Sequence, residues 1–233
     1  MPDVQTLLGL SSPPIAIAFL EQAPDGVAAW DGPEVPAGCT FWRQAMNGKT
    51  FHTSPSHHYN CAVGSHTHGV SLPESRAGEL MDAVGFMVSS GYIEMKEVPE
   101  IPVHKGPNRS IAFGPVDSVT FAPDVVIAAV HPTAGMMLYE AAVRAGVAGM
   151  AASILGRPGC AAVPMVEQSG QAALSFGCKG NRTFTGLPDG ELYYFVPGAK
   201  WNAVVEQLGA ILEANRVMEE HYCGKRAQFP ILA

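Results

Sequence analysis

The chain has 233 residues, of which 47% are hydrophobic and 15% are charged, and its net charge is -7. This hydrophobic content excludes a disordered protein and is enough for a buried core. The acidic balance and the lack of a basic run exclude nucleic acid as an expected partner. No apolar stretch is long enough to span a membrane. We therefore expect one compact, soluble domain over residues 1–233, and the low share of charge is compatible with a homo-oligomer.

In the first half of the chain, short apolar runs alternate with turn residues, and each run predicts one element. In chain order we predict a short helix or strand over residues 3–10, a buried strand over 14–20, a short helix over 40–45, a polar segment over 49–60, a helix that opens at 71–74 and ends at Gly91, and a strand over 111–115.

The second half repeats this alternation of strands and helices. The predicted elements are a strand over residues 123–130, a helix over 134–145, a loop over 156–159, strands over 172–176 and 191–196 with a loop over 177–182 between them, a long helix after Gly198, and a peripheral tail from Tyr222. Strands that alternate with helices indicate the α/β class. The fold prediction is thus an α/β domain around a mixed, partly parallel sheet.

Two stretches of the chain resemble each other. Residues 14–64 and 123–164 each open with a proline and an apolar strand, continue into a short helix, and reach a Cys-Ala segment. The pattern is compatible with two loosely repeated strand–helix halves, 1–115 and 116–222. Cys61 and Cys160 would then occupy equivalent positions. The alternative is that any two strand–helix units of an α/β protein share such a pattern.

Cysteine usage gives the main functional signal. The count of five is odd and the N-terminus has no secretory signal, so we expect a cytoplasmic protein with reduced cysteines. Three of the five directly follow a glycine, namely Cys39, Cys160 and Cys178. Glycine allows tight turns and close approach of the backbone to a ligand. We predict a site built from Cys39, Cys61, Cys160 and Cys178, and no role for Cys223.

Four cysteines match the ligand count of a 4Fe-4S cluster or of a structural zinc ion. The long gaps and the absence of a Cys-x-x-Cys pair argue against a zinc ribbon. The first hypothesis is therefore an iron–sulfur cluster protein with a redox or sensing role, which would work with a redox partner protein or a small-molecule ligand. The alternative without a cofactor site is that these are inert buried cysteines.

Two further functional hypotheses remain open, and whether the protein is an enzyme is uncertain at this point. One is a haem- or metal-ion-binding protein with Cys or His ligands, in which the helices of Phe41, Trp42, Met137 and Tyr139 wall the pocket. The other is a cofactorless enzyme with a cysteine nucleophile, a histidine base, and Arg182 to hold an anionic substrate. The loop over residues 177–182, with two glycines and two cations, is a weak candidate for that anion site.

Histidines are concentrated beside Cys61. Five of the eight fall between residues 52 and 68: His52, His57, His58, His66 and His68. They suit metal binding, and equally a polar solvated loop, so no role is assigned to any of them. His131 follows the clearest strand, at an end where α/β proteins bind ligands, although a structural role fits it as well.

Several motifs spread along the chain together resemble the domain-of-unknown-function 169 family. They are Pro13-Pro14-Ile15-Ala16, Gly38-Cys39-x-Phe41, Tyr59-Asn60-Cys61-x-Val63-Gly64, Pro123-Asp124-Val125-Val126 and Phe176-Gly177-Cys178-x-Gly180-x-Arg182. The resemblance spans about residues 3 to 215. It implies a soluble α/β protein with recurring cysteines, and it leaves their chemistry open.

Overall fold

The computed structural model describes residues 3–148, 153–154 and 158–227. In that part of the chain, α-helices and strands alternate. Their bounds, in chain order, are α1 Val4–Leu8, β1 Ile15–Leu20, α2 Thr40–Met46, β2 Phe51–Thr53, α3 Ala62–Thr67, α4 Glu79–Ser89, β3 Ser110–Pro115, β4 Val125–Val130, α5 Pro132–Arg144, β5 Ser153–Ile154, α6 Ala162–Ser169, β6 Ala173–Ser175, α7 Lys179–Thr185, β7 Leu192–Pro197 and α8 Trp201–Arg226.

The described strands form one sheet in the order β2-β3-β1-β4-β7-β6-β5. The six strands other than β5 are antiparallel to every neighbour among themselves. Only the two-residue β5 lies parallel to its neighbour, β6, at the edge. The α/β class is therefore right, and the prediction of a mixed, partly parallel sheet built from crossovers is wrong.

The physical reason lies in where the last strand of each half is inserted. The connection through α2 joins β1 to β2, which run in the same direction, as alternating strands and helices suggest. However, β3 lies between them and is antiparallel to both. In the same way β7 lies between β4 and β6 and is antiparallel to both. The strands that run in the same direction are therefore separated, except for the two-residue β5 beside β6.

Side chains alternate between the two faces of the sheet and build a core on each. Ile17 of β1 and Phe195 of β7 belong to the face that packs against α2 and α6. Val126 of β4 belongs to the opposite face, which α5 and α8 cover. The predicted cysteine site lies on the first of these faces, because Cys39 and Cys160 belong to its core.

Most of the predicted elements are confirmed within a few residues, and the exceptions fall around the cysteines. The polar segment over residues 49–60 contains strand β2 and a 3₁₀ turn, Pro55–His58. Helices α3, α6 and α7 were not predicted, and the loop expected over residues 177–182 is mostly α7. The predicted tail from Tyr222 belongs to the last turns of α8. Of the predicted loop over residues 156–159, residues 156 and 157 lie outside the described residues.

The predicted helix after residue 71 becomes a 3₁₀ turn, Glu74–Arg76, followed by α4. None of the α4 residues is buried. The helical spacing of apolar residues therefore predicts this helix correctly. These residues do not enter the buried core, however; they are Leu80, Met81, Val84, Met87 and Val88. Within the described residues, no helix combines the length and the apolar character needed to cross a membrane.

The turn into α8 gives a test of the fold. Gly198 donates its N–H to Asp124 O at 2.8 Å, and a methyl group on its Cα would overlap the Pro123 carbonyl. We expect Gly198→Ala to lower the free energy of unfolding by roughly 2–4 kcal/mol, because backbone atoms must move apart. Urea unfolding measures this.

The matched control is Gly209→Ala in α8, where an added methyl group meets nothing within 4 Å. Alanine is the better helix former, so this variant should gain up to about 1 kcal/mol. Equal effects of the two substitutions would contradict the close contact between Gly198 and Pro123.

Candidate functional site: four cysteines around one cavity

Four separate segments bring Cys39, Cys61, Cys160 and Cys178 to the wall of one cavity, whose volume is about 390 Å³. Cys39 immediately precedes α2, and Cys160 lies in the 3₁₀ turn Gly159–Ala161 before α6. Cys61 and Cys178 are the N-caps of α3 and α7. All four are free thiols, as is the exposed Cys223 of α8. The structure therefore brings together the four predicted site residues, while their role as ligands stays a prediction.

Glycines allow the two C-terminal cysteine turns to approach each other. A Cβ on Gly159 would lie 3.0 Å from the backbone nitrogen of Cys178 and 3.3 Å from Cα of Gly177. Gly177 itself has a φ of +72°, a left-handed conformation that side chains other than glycine rarely adopt. The contact between these turns holds Cys160 and Cys178 at the same end of the cavity.

His58 packs against the turn before Cys39 and so connects the two N-terminal cysteines, Cys39 and Cys61. A Cβ on Gly38 would lie 2.7 Å from Nδ1 of His58, so only glycine leaves room for this ring before Cys39. The carbonyl of His58 accepts bonds from Cys61 N at 3.3 Å and from Ser65 Oγ at 2.6 Å. His58 thus links the turn of Cys39 to the start of α3.

Backbone amides point at two of the sulfur atoms. Gly64 N donates to Cys61 Sγ at 3.3 Å, and Asn181 N donates to Cys178 Sγ at 3.4 Å. These are N-cap bonds in which a sulfur replaces the usual side-chain oxygen. Thr67 Oγ1 lies 3.3 Å from Cys160 Sγ. Such polar contacts to sulfur are the kind that stabilise negative charge on a cysteine ligand.

Burial keeps three of the cavity thiols protonated. Together with the nearby Cys178 and Cys61, it raises the pKa of Cys39 to about 12. Burial also raises the pKa of Cys61 and, well above the ordinary range, that of Cys160, to which Cys61 adds. These mutual effects show that the thiols are close enough to interact electrostatically.

Of the wall residues that the structure describes, His68 is the one histidine. It is 1% exposed, and neither of its ring nitrogens has a hydrogen-bond partner among the described residues. Burial, helped by the nearby His104, lowers its pKa to about 4, so the ring is neutral at physiological pH. Phe19 and His58 contact it edge-on, with ring centroids 5.5 and 5.9 Å away. Nothing in the sequence pattern favours His68 over His66, which lies two positions earlier and is exposed.

Asn181 is a wall residue that the sequence did not suggest. It is 2% exposed, and its side-chain amide lies near Cys39, where it lowers the pKa of the thiol without reaching hydrogen-bond geometry. The outer wall comes from α4 and the residues after it, among them Phe86, Met87 and Tyr92. Tyr92 accepts the N–H of Lys179 at 2.8 Å and so connects this wall to the start of α7.

Other residues considered from the sequence have structural roles. His131 N-caps α5, where Nδ1 accepts from Ala134 N at 3.3 Å. His57 forms a capping box with Ser54, and His52 lies on β2 with Nδ1 3.2 Å from Ser110 Oγ. Arg182 donates to the carbonyls of Phe176, Pro188 and Glu191, so its guanidinium is occupied rather than directed at a substrate. The anion site proposed for its loop is therefore not supported by the geometry.

The haem pocket predicted between the helix of Phe41 and Trp42 and the helix of Met137 and Tyr139 does not form. Phe41 and Trp42 belong to the core on the cysteine face of the sheet, while Met137 and Tyr139 pack on the opposite face. The sheet separates the two pairs, so they cannot wall one pocket.

Over the described ranges, no three His, Cys, Asp or Glu side chains lie close enough together to hold one metal ion. The four thiols line one cavity, and their role as ligands stays a prediction.

Comparison with protein families agrees with the resemblance noted in the sequence. The family model DUF169, described as an uncharacterised ArCR, matches residues 3–207. The chain belongs to the DUF169 family. No curated protein and no solved structure matches it. The matched region contains the four cavity cysteines and ends before Cys223.

The raised thiol pKa values predict how this DUF169 protein responds to alkaline pH. The pKa of Cys39 rises from 9.0 to about 12 on folding. Its contribution to stability is therefore intact below about pH 9 and is lost as the pH rises toward 12, because the unfolded chain releases the proton first. Urea unfolding of the metal-free, reduced protein should show stability falling between pH 9 and 11, by up to about 1.4 kcal/mol per pH unit for each such thiol.

Cys39→Ala should make this pH dependence shallower. Cys223→Ala is the matched control and should leave the slope unchanged, since the Cys223 thiol is exposed. If Cys39→Ala keeps the full slope of the wild type, the thiol of Cys39 is not held protonated by the fold.

Proposed function

We propose that this DUF169 protein binds an iron–sulfur cluster in the cavity through Cys39, Cys61, Cys160 and Cys178, and that it has a redox or sensing role. The observation that carries the proposal is the convergence of four thiols from four separate segments on one cavity wall. Clusters with four irons take four cysteine thiolates, one at each iron.

The surroundings of the sulfur atoms support the same proposal. Thiolates buried without compensation are costly, and here the backbone N–H groups of Gly64 and Asn181 already point at two of the sulfurs. The raised pKa values mean that, without a cluster, the thiols of Cys39, Cys61 and Cys160 carry protons rather than charge. A cluster would replace those protons, as metal binding to cysteine generally does. When bound, it would supply electron transfer or a signal that depends on its oxidation state.

Neither alternative function gains a specific observation in its favour. A nucleophilic cysteine needs a lowered pKa, whereas burial raises that of Cys39, Cys61 and Cys160. The anion-holding role of Arg182 is also lost to its carbonyl contacts. The proposal includes a cytoplasmic location, where five free cysteines stay reduced, and a redox partner protein or a small-molecule ligand.

Anaerobic purification with iron and sulfide analysis tests the cluster. The wild type should contain iron and acid-labile sulfide and show broad visible absorbance. Replacing any one of the four cavity cysteines by alanine should weaken cluster binding by more than the ~10-fold loss typical of an outer-shell change. Cys223→Ala should keep the wild-type content.

Each possible result decides between named functions. A sharp Soret band would indicate haem instead of a cluster. A colourless protein without iron after anaerobic reconstitution would overturn the proposal. Full iron and sulfide in the Cys160→Ala variant would remove Cys160 from the ligand set.

A further inference from the structure

Unpaired polar atoms are concentrated at the cavity. Among the described residues, eleven buried side-chain nitrogen or oxygen atoms have no hydrogen-bond partner, and four of them belong to the wall residues His68 and Asn181. A fifth belongs to His58, which lies behind the wall residue Gly38. Burying a polar group without a partner is costly, so such a concentration needs an explanation. A ligand that supplies the missing partners would explain it.

His68 is the clearest case, because this fold pairs a neighbouring buried histidine fully. His104 is 4% exposed, and its two ring nitrogens bond Glu167 Oε2 at 2.6 Å and Pro107 O at 3.0 Å. His68 is buried at least as deeply and has neither partner. The difference is that His68 faces the cavity. A histidine that served packing alone would be expected to be paired like His104.

We infer that the cavity binds a small uncharged molecule with an apolar body, whose polar head group exchanges hydrogen bonds with His68. The inference goes beyond the proposed cluster and rests on the cavity rather than on the cluster. It adds a binding site for a substrate or signal beside the thiols.

The charges around the cavity explain why the molecule is uncharged. Among the wall residues that the structure describes there is no carboxylate, and the one charged side chain, Lys179, is exposed. The neutral ring of His68 and the amide of Asn181 each offer a donor and an acceptor. An ion placed against them would lose its hydration without gaining a counter-ion.

The remaining wall explains the apolar body. Val63, Met87 and Phe184 contribute apolar surface, and the volume of about 390 Å³ lies within the usual range of small-molecule sites. Phe86 and Phe184 belong to the wall and are 73% and 44% exposed, so the cavity opens to solvent beside them. A ligand could therefore enter without unfolding the protein.

Three probes that share one ring and differ in the charge of the head group test the inference: benzamide, benzoate and benzylamine. Binding to the full-length, metal-free protein is followed by calorimetry and by the ¹⁵N shifts of histidine rings. Benzamide should bind at least ~10-fold more tightly than either ion, because the ions must be desolvated.

His68→Leu should weaken benzamide binding ~10-fold, the loss expected for one hydrogen bond in a dry site. His68→Gln, which keeps a donor and an acceptor, should recover most of that loss. His66→Leu is the matched control, because His66 is an exposed residue of α3, the helix that His68 caps, and lies outside this cavity. Circular dichroism of each variant checks that it folds. If His68→Leu does not fold, the histidine shifts in the wild type and the His68→Gln affinity carry the test.

Three results would overturn the inference. They are equal binding of the charged and neutral probes, benzamide binding that His68→Leu leaves unchanged, and absence of saturable binding, which would leave only water at the ring. Iron and sulfide analysis after anaerobic reconstitution separates this outcome from that of the cluster. A protein that takes up no iron but binds benzamide through His68 would refute the cluster alone. A protein that takes up iron and sulfide but binds none of the probes in its metal-free form would refute the ligand alone.

Discussion

Close approach of the Gly159–Cys160 turn to the Gly177–Cys178 turn is the contact on which the site depends. Even a methyl group at Gly159 would be crowded, because its Cβ would lie 3.0 Å from the backbone nitrogen of Cys178. Gly38 plays the same part for the ring of His58, which in turn holds the start of α3. Three turns without side chains at the contact thus collect four thiols in a small volume. The raised pKa values and the unpaired groups of the cavity are consequences of that crowding.

Glycine before cysteine was the signal that the sequence carried, and its physical reason is steric. The helices that present Cys61 and Cys178 were missed for a related reason: both begin at a cysteine whose sulfur accepts the N–H of the third residue after it. The usual rules for helix starts look for Ser, Thr, Asp or Asn. Without α3, nothing distinguished His68 from His66, since only the helical phase buries one and exposes the other.

Strand order could not be read from the sequence, because it is set by long-range pairing and not by local pattern. The order β2-β3-β1 in the first half mirrors the order β4-β7-β6 in the second. The suggested repeat of residues 1–115 and 116–222 is compatible with this symmetry and stays a prediction. In the internal repeat, α2 of the first half corresponds to α5 of the second. These two helices lie on opposite faces of the sheet. The Cys61 and Cys160 segments share one face, so the likeness extends to the strands and the cysteines but not to these helices.

Charge is the property that joins the two proposals for the cavity. In the metal-free protein the thiols of Cys39, Cys61 and Cys160 are protonated and the imidazole of His68 is neutral, so the wall carries little charge. Among the described wall residues the one charged side chain, Lys179, is exposed, so thiolates need a cation that arrives with them. An iron–sulfur core would supply part of that compensation and release protons as it binds. The core does not balance four thiolates fully, and the N–H groups that point at Cys61 and Cys178 would stabilise the remaining negative charge. In the metal-free protein the described wall offers a cation no carboxylate and offers an anion only an exposed lysine, so an uncharged molecule is the one that it can hold at the lowest cost.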